Sequence, residues 1–228
     1  MTEVRIPNRV EEFKKAIDCT FKGGGTEDFS NKVCMVVAGG KEVWDDYRYA
    51  KEVLGDAPHR VMAVNAVGMY VPDKLHYWFG LHLPRLNAWK YTRRIGQPNG
   101  QREYDNPQLI SVPHLPRSKG LELPLQAGWE VTFSNELISE CAKYSGACED
   151  SGFMAMVVAI AMGFKEVWLV GMPGDFHGHC FDPDWKYTEK HIGKIQQIWK
   201  TAAEAFPILK ERVRSASGIT KDLFGDVA

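Results

Sequence analysis

The chain has almost no net charge and few cysteines, and each of these features argues against particular classes of protein. Lysine and arginine number 28 against 29 aspartates and glutamates, so no overall field favours nucleic acid, an anionic membrane or an acidic partner. The five cysteines are scattered, odd in number and without a Cys-x-x-Cys pair. This pattern argues against a disulfide framework and indicates free thiols in a reducing compartment.

The sequence also lacks a long apolar run and a secretory leader. The longest apolar stretch, from Phe153 to Phe164, is too short to span a bilayer. The N-terminus, Met1 to Pro7, has no basic start followed by an apolar region. We therefore expect a cytoplasmic protein without a membrane span.

Apolar runs and helical patterns alternate along the 228 residues, 44% of which are hydrophobic. Strands are predicted at 33–38, 60–65, 74–79, 108–112, 166–170 and 212–215, with helices after residue 41 and over 84–94, 151–162, 191–206 and 219–224. The strands are apolar throughout, as expected when both faces of a sheet are buried. The alternation predicts a Rossmann-like, doubly wound and mostly parallel sheet with helices on both faces.

The alternation predicts a single domain over residues 32–228. One segment precedes this domain, and another interrupts its regular pattern. Residues 1–31 are predicted as an N-terminal helical extension, with an amphipathic helix over Val10 to Ile17 that either contacts another copy in a homo-oligomer or braces the domain. Residues 97–126 are rich in proline, glycine and basic side chains, which is typical of an irregular loop or lid near a site.

Ligands of doubly wound sheets bind outside the carboxyl ends of the strands, so residues that follow the predicted strands are the candidates. The set is Gly39, Gly40, Asn65, Gly171, Ser215 and Ser217. Neither G-x-G-x-x-G nor G-x-x-x-x-G-K-[ST] follows the first strand. Their absence removes support for hydride transfer from a dinucleotide and for P-loop phosphoryl transfer.

Ser151 and Gly152 begin the most apolar predicted helix, directly after Asp150. A helix N-terminus offers amides and positive partial charge to an anion, so these residues are candidates for contact with a phosphate. Capping of the helix by Asp150 or Ser151 explains the same pattern equally well.

Titratable side chains cluster after the strand that ends at Gly171. Asp175, His177, His179 and Cys180 lie in a glycine-rich segment, and their spacing matches no closed zinc pattern, so no metal site is predicted. His191 precedes a long amphipathic pattern, where a neutral imidazole can serve as a general base. An exposed histidine at a helix start is the competing interpretation.

The stretch from Ser151 to Gly171 resembles a motif of bacterial lipooligosaccharide sialyltransferases. SGFM at 151–154 and AIAMGFKEVWLVG at 159–171 match SG-x-M and A-x-A-x-G-[YF]-KE-[IV]-x-L-x-G. Motility accessory factors and 6-hydroxymethylpterin diphosphokinase-like proteins are similar in the same stretch. Asn65 stands where that superfamily has a nucleotide-contacting asparagine, and His191 lies near the place of its catalytic histidine.

The resemblance implies a glycosyltransferase that takes a nucleotide sugar, most simply a CMP-sugar, and transfers the sugar to an acceptor hydroxyl. His191 would be the base, while His177 and Asp175 would lie on the reacting side. The nucleotide sugar would be a substrate, with no tightly bound cofactor. One alternative is a magnesium-dependent pterin or nucleotide pyrophosphokinase-like enzyme that uses acidic ligands such as Asp175, Asp182 and Asp184. Another is a non-catalytic nucleotide-binding protein of viral or mobile-element origin.

Overall fold

A six-stranded parallel sheet forms the centre of the protein. The computed structural model describes residues 17–21, 28–80, 83–95, 107–111, 129–133, 150–175 and 177–228. Their strands are β1 (Ile17–Phe21), β2 (Val33–Val37), β3 (His59–Val64), β4 (Tyr77–Gly80), β5 (Gln108–Ser111), β6 (Trp129–Phe133), β7 (Glu166–Val170), β8 (His177–His179), β9 (Asp182–Lys186) and β10 (Val213–Ser215). The central sheet has the order β10-β7-β2-β3-β4-β5, and all its pairings are parallel.

Helices cover both faces of this sheet. The described helices are α1 (Val43–Leu54), α2 (Leu83–Ile95), α3 (Ser151–Ala161), α4 (Glu189–Ala205), α5 (Pro207–Arg212) and α6 (Gly218–Phe224). Side chains of α1 and α2 join the core on one face, and side chains of α3 to α6 join the core on the other. The predicted Rossmann-like α/β fold is therefore confirmed. Within the described part of the chain, no helix has the length and apolarity needed to cross a membrane.

Strand β2 shows why the central strands are apolar at every position. Cys34 and Val36 belong to the core beneath α3, whereas Met35 and Val37 belong to the core beneath α1. All four side chains are fully buried. Successive side chains of a strand point to opposite faces, so a strand covered on both faces must be apolar throughout.

The strand order changes direction between β2 and β7, which are neighbours in the sheet. The chain runs outward from β2 through β3, β4 and β5, and then returns to place β7 and β10 on the other side of β2. Helix α1 leaves β2 on one face, while α4 follows β7 on the opposite face. A crevice therefore opens at the carboxyl ends of β2 and β7.

Two antiparallel pairs lie outside the central sheet and were not predicted. Strand β1 pairs with β6, and β8 pairs with β9 around the turn at Cys180 and Phe181. Residues 10–16 of the predicted N-terminal helix lie outside the described residues, and Ile17 begins β1. Of the predicted loop at 97–126, only 107–111 are described, and they contain β5.

A buried carboxylate joins three parts of the fold at the crevice. Asp46 on α1 is 7% exposed, and its Oδ2 accepts hydrogen bonds from the Gly171 amide at 3.0 Å and from the Ser217 hydroxyl at 2.6 Å. Burial raises the pKa of Asp46, and the two hydrogen bonds oppose that rise. The carboxylate fixes the chain after β7 and the chain after β10 to α1.

We predict that Asp46→Ala destabilises the protein by about 1–3 kcal/mol, because it leaves the buried Gly171 amide and the half-buried Ser217 hydroxyl without their acceptor. Asp46→Asn keeps an acceptor without a charge and should cost less. Because the pKa of Asp46 is raised in the folded state, the folded protein binds the proton more tightly, and stability is lost as the pH rises through that pKa. Urea unfolding from pH 4 to 7 should show the Asn variant gaining stability relative to wild type as the pH rises.

The exposed neighbour Asp45, whose side chain is 73% exposed, provides the matched control. Asp45→Asn should change the unfolding free energy by less than about 0.5 kcal/mol across the same pH range, because exposed charges contribute little. A constant difference between Asp46→Asn and wild type at every pH would contradict the assigned direction of the Asp46 pKa.

Candidate functional site

A pocket of about 230 Å³ lies at the point where the strand order reverses. Its floor is formed by the residues that follow β2 and β7, and its walls come from the start of the 3-10 helix Asn65–Met69, the first turn of α3, one side of α4 and the β8–β9 hairpin. The polar side chains that line it are those of Asn65, Asp150, Ser151, His179, Tyr187, His191 and Lys194. Its position is the one expected for a ligand of a doubly wound sheet.

The structure brings most of the predicted site residues together. Gly39, Gly40, Asn65, Ser151, Gly152, Gly171 and His191 all line the pocket. Asp175 is half-buried and lies outside the lining, and so do Ser215 and Ser217. The backbone of His177 begins β8, while its side chain lies outside the described residues.

Ser215, which ends β10, and Ser217, which follows it, are hydrogen-bonded within the fold. Ser215 Oγ is 2.8 Å from Thr220 Oγ1, and the Thr220 hydroxyl donates to the Met172 carbonyl at 2.6 Å. Ser217 donates to Asp46. These bonds connect α6 and β10 to the chain after β7, so both serines support the pocket floor from behind.

The glycines at the pocket floor are required by close packing between protein segments. The Gly40 amide donates to the Gly171 carbonyl at 2.9 Å, and a Cβ on Gly171, whose φ is +65°, would lie 2.5 Å from the Ala38 oxygen. A Cβ on Gly39 would lie 2.4 Å from Nε2 of His179. The hairpin is fixed here as well, because the Cys180 amide donates to the Gly39 carbonyl at 2.9 Å.

Asp150 occupies the anion position at the N-terminus of α3. Its Oδ1 accepts from the amides of Gly152 at 2.9 Å and Phe153 at 3.1 Å. Its Oδ2 accepts from the indole N–H of Trp199 at 3.0 Å. Burial raises the pKa of Asp150, opposed by these hydrogen bonds and by an electrostatic interaction with His191. The amides at the helix terminus are therefore already capped by the protein's own Asp150 side chain.

One side of α4 presents the basic side chains to the pocket. Thr188 caps the helix and accepts from the His191 amide at 3.3 Å. The imidazole of His191 stacks on Tyr187, with ring centroids 4.6 Å apart and an interplanar angle of 15°. Lys194 follows one helical turn later, is exposed, and has no ion pair among the described residues. Lys194, Ile195 and Trp199 follow His191 by three, four and eight residues, and this helical spacing is the signal in the sequence that identifies the face.

Asn65 has a left-handed backbone conformation, and its side-chain amide has no hydrogen-bond partner among the described residues. Its φ of +56° is the only positive φ outside glycine among the described residues, and asparagine is one of the few residues that tolerate this conformation. The Asn65 carbonyl accepts from the Trp78 indole at 2.6 Å, which fixes the turn. In the described part of the chain, the side-chain amide has no hydrogen-bond partner. It therefore offers a donor and an acceptor to a ligand.

A metal centre is not assembled by the described residues. No three side chains of histidine, cysteine, aspartate or glutamate among them are placed to hold one ion. Burial raises the pKa of the Cys180 thiol to about 11 and lowers that of His179. Cys180 is therefore a thiol, and His179 a neutral imidazole, at neutral pH.

We predict that Gly39→Ala destabilises the protein by about 1–3 kcal/mol, because the new methyl group overlaps the His179 ring. The cost should fall by at least about 1 kcal/mol in a His179→Ala background, since contacting residues are not additive. Chemical unfolding of the four proteins in this cycle measures the coupling.

Gly193 provides the control for this cycle, because it lies within α4 and a Cβ there meets no atom within 4 Å. Gly193→Ala should stabilise the protein by about 0.5–1 kcal/mol through helix propensity, with or without His179. Equal destabilisation by Gly39→Ala in both backgrounds would rule out the His179 contact as its cause.

The pocket thus combines a free amide, an imidazole, an ammonium group and a buried carboxylate around a glycine-lined floor. Comparisons with protein-family models, curated proteins and solved structures found no match to this chain. The function of the pocket has to be inferred from its own residues and geometry.

Proposed function

We propose that the protein is a glycosyltransferase that binds a nucleotide sugar in this pocket, most simply a CMP-sugar, and transfers the sugar to an acceptor hydroxyl. The observation that carries the proposal is the convergence of Asn65, His191 and Lys194 at the switch point of the sheet. These three side chains supply a group that can read a base or sugar, a general base and a cation for phosphate. The choice of sugar transfer and of cytidine follows the resemblance of residues 151–171.

The distribution of charge assigns the two ends of the ligand. The Gly152 and Phe153 amides already bind Asp150, so they do not offer their N–H groups to a phosphate. Lys194, on the α4 side, is the group suited to a phosphate. The Asp150 carboxylate suits a hydrogen-bond donor, such as a hydroxyl of the ribose or of the transferred sugar.

His191 is the base in the proposed reaction. As the bond between the sugar carbon and the phosphate oxygen breaks, the electron pair leaves with the nucleotide. The acceptor oxygen forms the new bond to the same carbon, and its proton passes to the imidazole of His191. Stacking on Tyr187 fixes the plane of the imidazole, and Lys194 offsets the charge on the departing phosphate.

The magnesium-dependent pyrophosphokinase alternative lacks its ligand set in the described residues. It requires acidic side chains such as Asp175, Asp182 and Asp184 to hold the ion, but these do not form a metal-binding group and none of them lines the pocket. A non-catalytic nucleotide-binding protein differs from the proposed enzyme only in turnover. Variants of His191 therefore distinguish those two functions.

We expect His191→Ala to lower transfer from a CMP-sugar by about 100-fold or more, the usual contribution of a positioned base. Nucleotide binding and thermal unfolding should change little, because only the His191 backbone takes part in the cap of α4. Release of CMP from the donor in the presence of a panel of hydroxyl acceptors measures the rate, and calorimetric titration measures binding.

His59→Ala is the matched control. His59 is the first residue of β3, so it lies at the amino ends of the parallel strands, whereas the pocket lies at their carboxyl ends. The substitution should leave transfer unchanged. If wild type binds nucleotides without any turnover, the protein is the non-catalytic alternative. If the folded protein binds no cytidine, uridine, adenosine or guanosine nucleotide, the proposed function fails altogether.

The charge assignment predicts that Lys194→Met weakens nucleoside monophosphate binding about tenfold or more, through loss of a charge-assisted contact. Affinity for the corresponding nucleoside, which has no phosphate, should stay within about twofold. Lys200→Met removes an exposed ammonium from the same helix, outside the pocket, and serves as control. Equal loss for nucleoside and nucleotide would place the phosphate elsewhere.

A further inference from the structure

Three aromatic rings lie in a row that begins in the pocket and continues outside its lining. His179 lines the pocket, and its ring centroid is 4.9 Å from that of Phe181. Phe181 in turn lies 4.9 Å from the ring of Tyr70. The interplanar angles are 38° and 46°, so the rings are tilted and do not cover one another face to face. We call these three side chains the aromatic row.

The outer part of the aromatic row is exposed. Phe181 and Tyr70 retain 42% and 56% of their accessible surface. Large exposed apolar side chains are few among the described residues, and the others are Val53 and Tyr91. A single exposed aromatic side chain is ordinary, whereas two in contact beside a polar pocket indicate a surface that a ligand covers.

The backbone around the aromatic row is held in place before any ligand binds. The hairpin that carries His179 and Phe181 is bonded to the Gly39 carbonyl through the Cys180 amide. The loop that carries Tyr70 is braced by the buried guanidinium of Arg93, which donates to the carbonyls of Gly68 at 2.9 Å and Val71 at 2.7 Å. A preformed surface loses little conformational freedom when it binds, which favours recognition of a rigid planar group.

We propose that the aromatic row stacks the nucleobase of the ligand, an inference that rests on the proposed nucleotide function and assigns its base end. Aromatic rings bind bases through their faces, and the side-chain amide of Asn65 has a donor and an acceptor for the base edge. Asn65 lines the pocket and begins the 3-10 helix that ends one residue before Tyr70, so this short helix connects the pocket to the outer end of the aromatic row. The base then lies on the side opposite Lys194, where the phosphate is bound.

The neutral state of His179 fits this role. Burial lowers the pKa of His179, and only the charge of Asp182 opposes it. An uncharged imidazole can lie against a neutral base without the desolvation cost of a buried cation. The aromatic row therefore presents only uncharged rings, while the phosphate side of the pocket carries the cation.

The test compares two probes that differ by the base. One is whichever of CMP, UMP, AMP and GMP binds the wild type most tightly, and the other is ribose 5-phosphate. We expect Phe181→Ala and Tyr70→Ala each to weaken binding of the nucleotide. The loss should be about 5- to 150-fold for whichever of the two rings stacks directly on the base. Ribose 5-phosphate affinity should stay within about twofold in both variants.

Two further variants separate stacking from apolar contact and from general damage. Phe181→Tyr should retain nucleotide affinity, whereas Phe181→Leu should lose most of it, because leucine is apolar but has no π-face. Tyr91→Ala removes the other exposed aromatic ring, on α2 and outside the pocket, and should have no effect.

The outcomes distinguish the two proposals. If wild type binds none of the four nucleotides, the proposed function fails and this inference fails with it. If wild type binds a nucleotide but Phe181→Ala and Tyr70→Ala bind it equally well, only the aromatic row is refuted as the base site. Parallel losses for the nucleotide and for ribose 5-phosphate would also refute it, because the variants would then have altered the whole pocket.

Discussion

The peptide group of Gly171 is the junction on which the site depends. Its carbonyl accepts the Gly40 amide and its N–H donates to the buried carboxylate of Asp46, so the chain after β7 is held from both sides. Held this way, the chains after β2 and β7 stay in contact before they diverge to opposite faces of the sheet. The contact is too close for side chains, because a Cβ on Gly40 would lie 2.6 Å from the Gly171 carbonyl oxygen and a Cβ on Gly171 would lie 2.5 Å from that of Ala38. The pocket opens directly above this junction.

The sequence predicted the strands of the fold that are buried on both faces. Strands covered on both faces read as apolar runs, and the six predicted parallel strands were found within a few residues of their predicted ends. The β8–β9 hairpin was missed for a physical reason. Its strands, His177–His179 and Asp182–Lys186, have no alternation of apolar residues and contain a proline, and the hairpin is stabilised by docking on Gly39. Contacts between distant segments of this kind leave no local pattern in a sequence.

The sequence predicted where the candidate site lies better than it predicted which polar side chains face it. The switch-point rule selected Gly39, Asn65 and Gly171 correctly as residues that meet in space. The same rule selected Ser217, whose hydroxyl is bonded to Asp46 below the pocket floor. Sequence alone cannot divide strand-end residues between ligand contact and internal support, since both uses favour small polar side chains. It left capping and anion binding open at the start of α3, where the structure shows the Asp150 side chain capping the helix.

Two different walls meet at the junction, and their chemistry sets the direction in which a ligand can lie. The α4 wall carries His191 and Lys194, whereas the other wall carries Asn65 and His179, the first ring of the aromatic row. The Asp150 side chain is held at the α3 terminus by two amides and an indole, so these donors are already occupied. Under the proposed function, a nucleotide sugar must therefore span the switch point from base to phosphate. The bond that breaks then lies beside His191, and the acceptor hydroxyl has to approach from the α4 side.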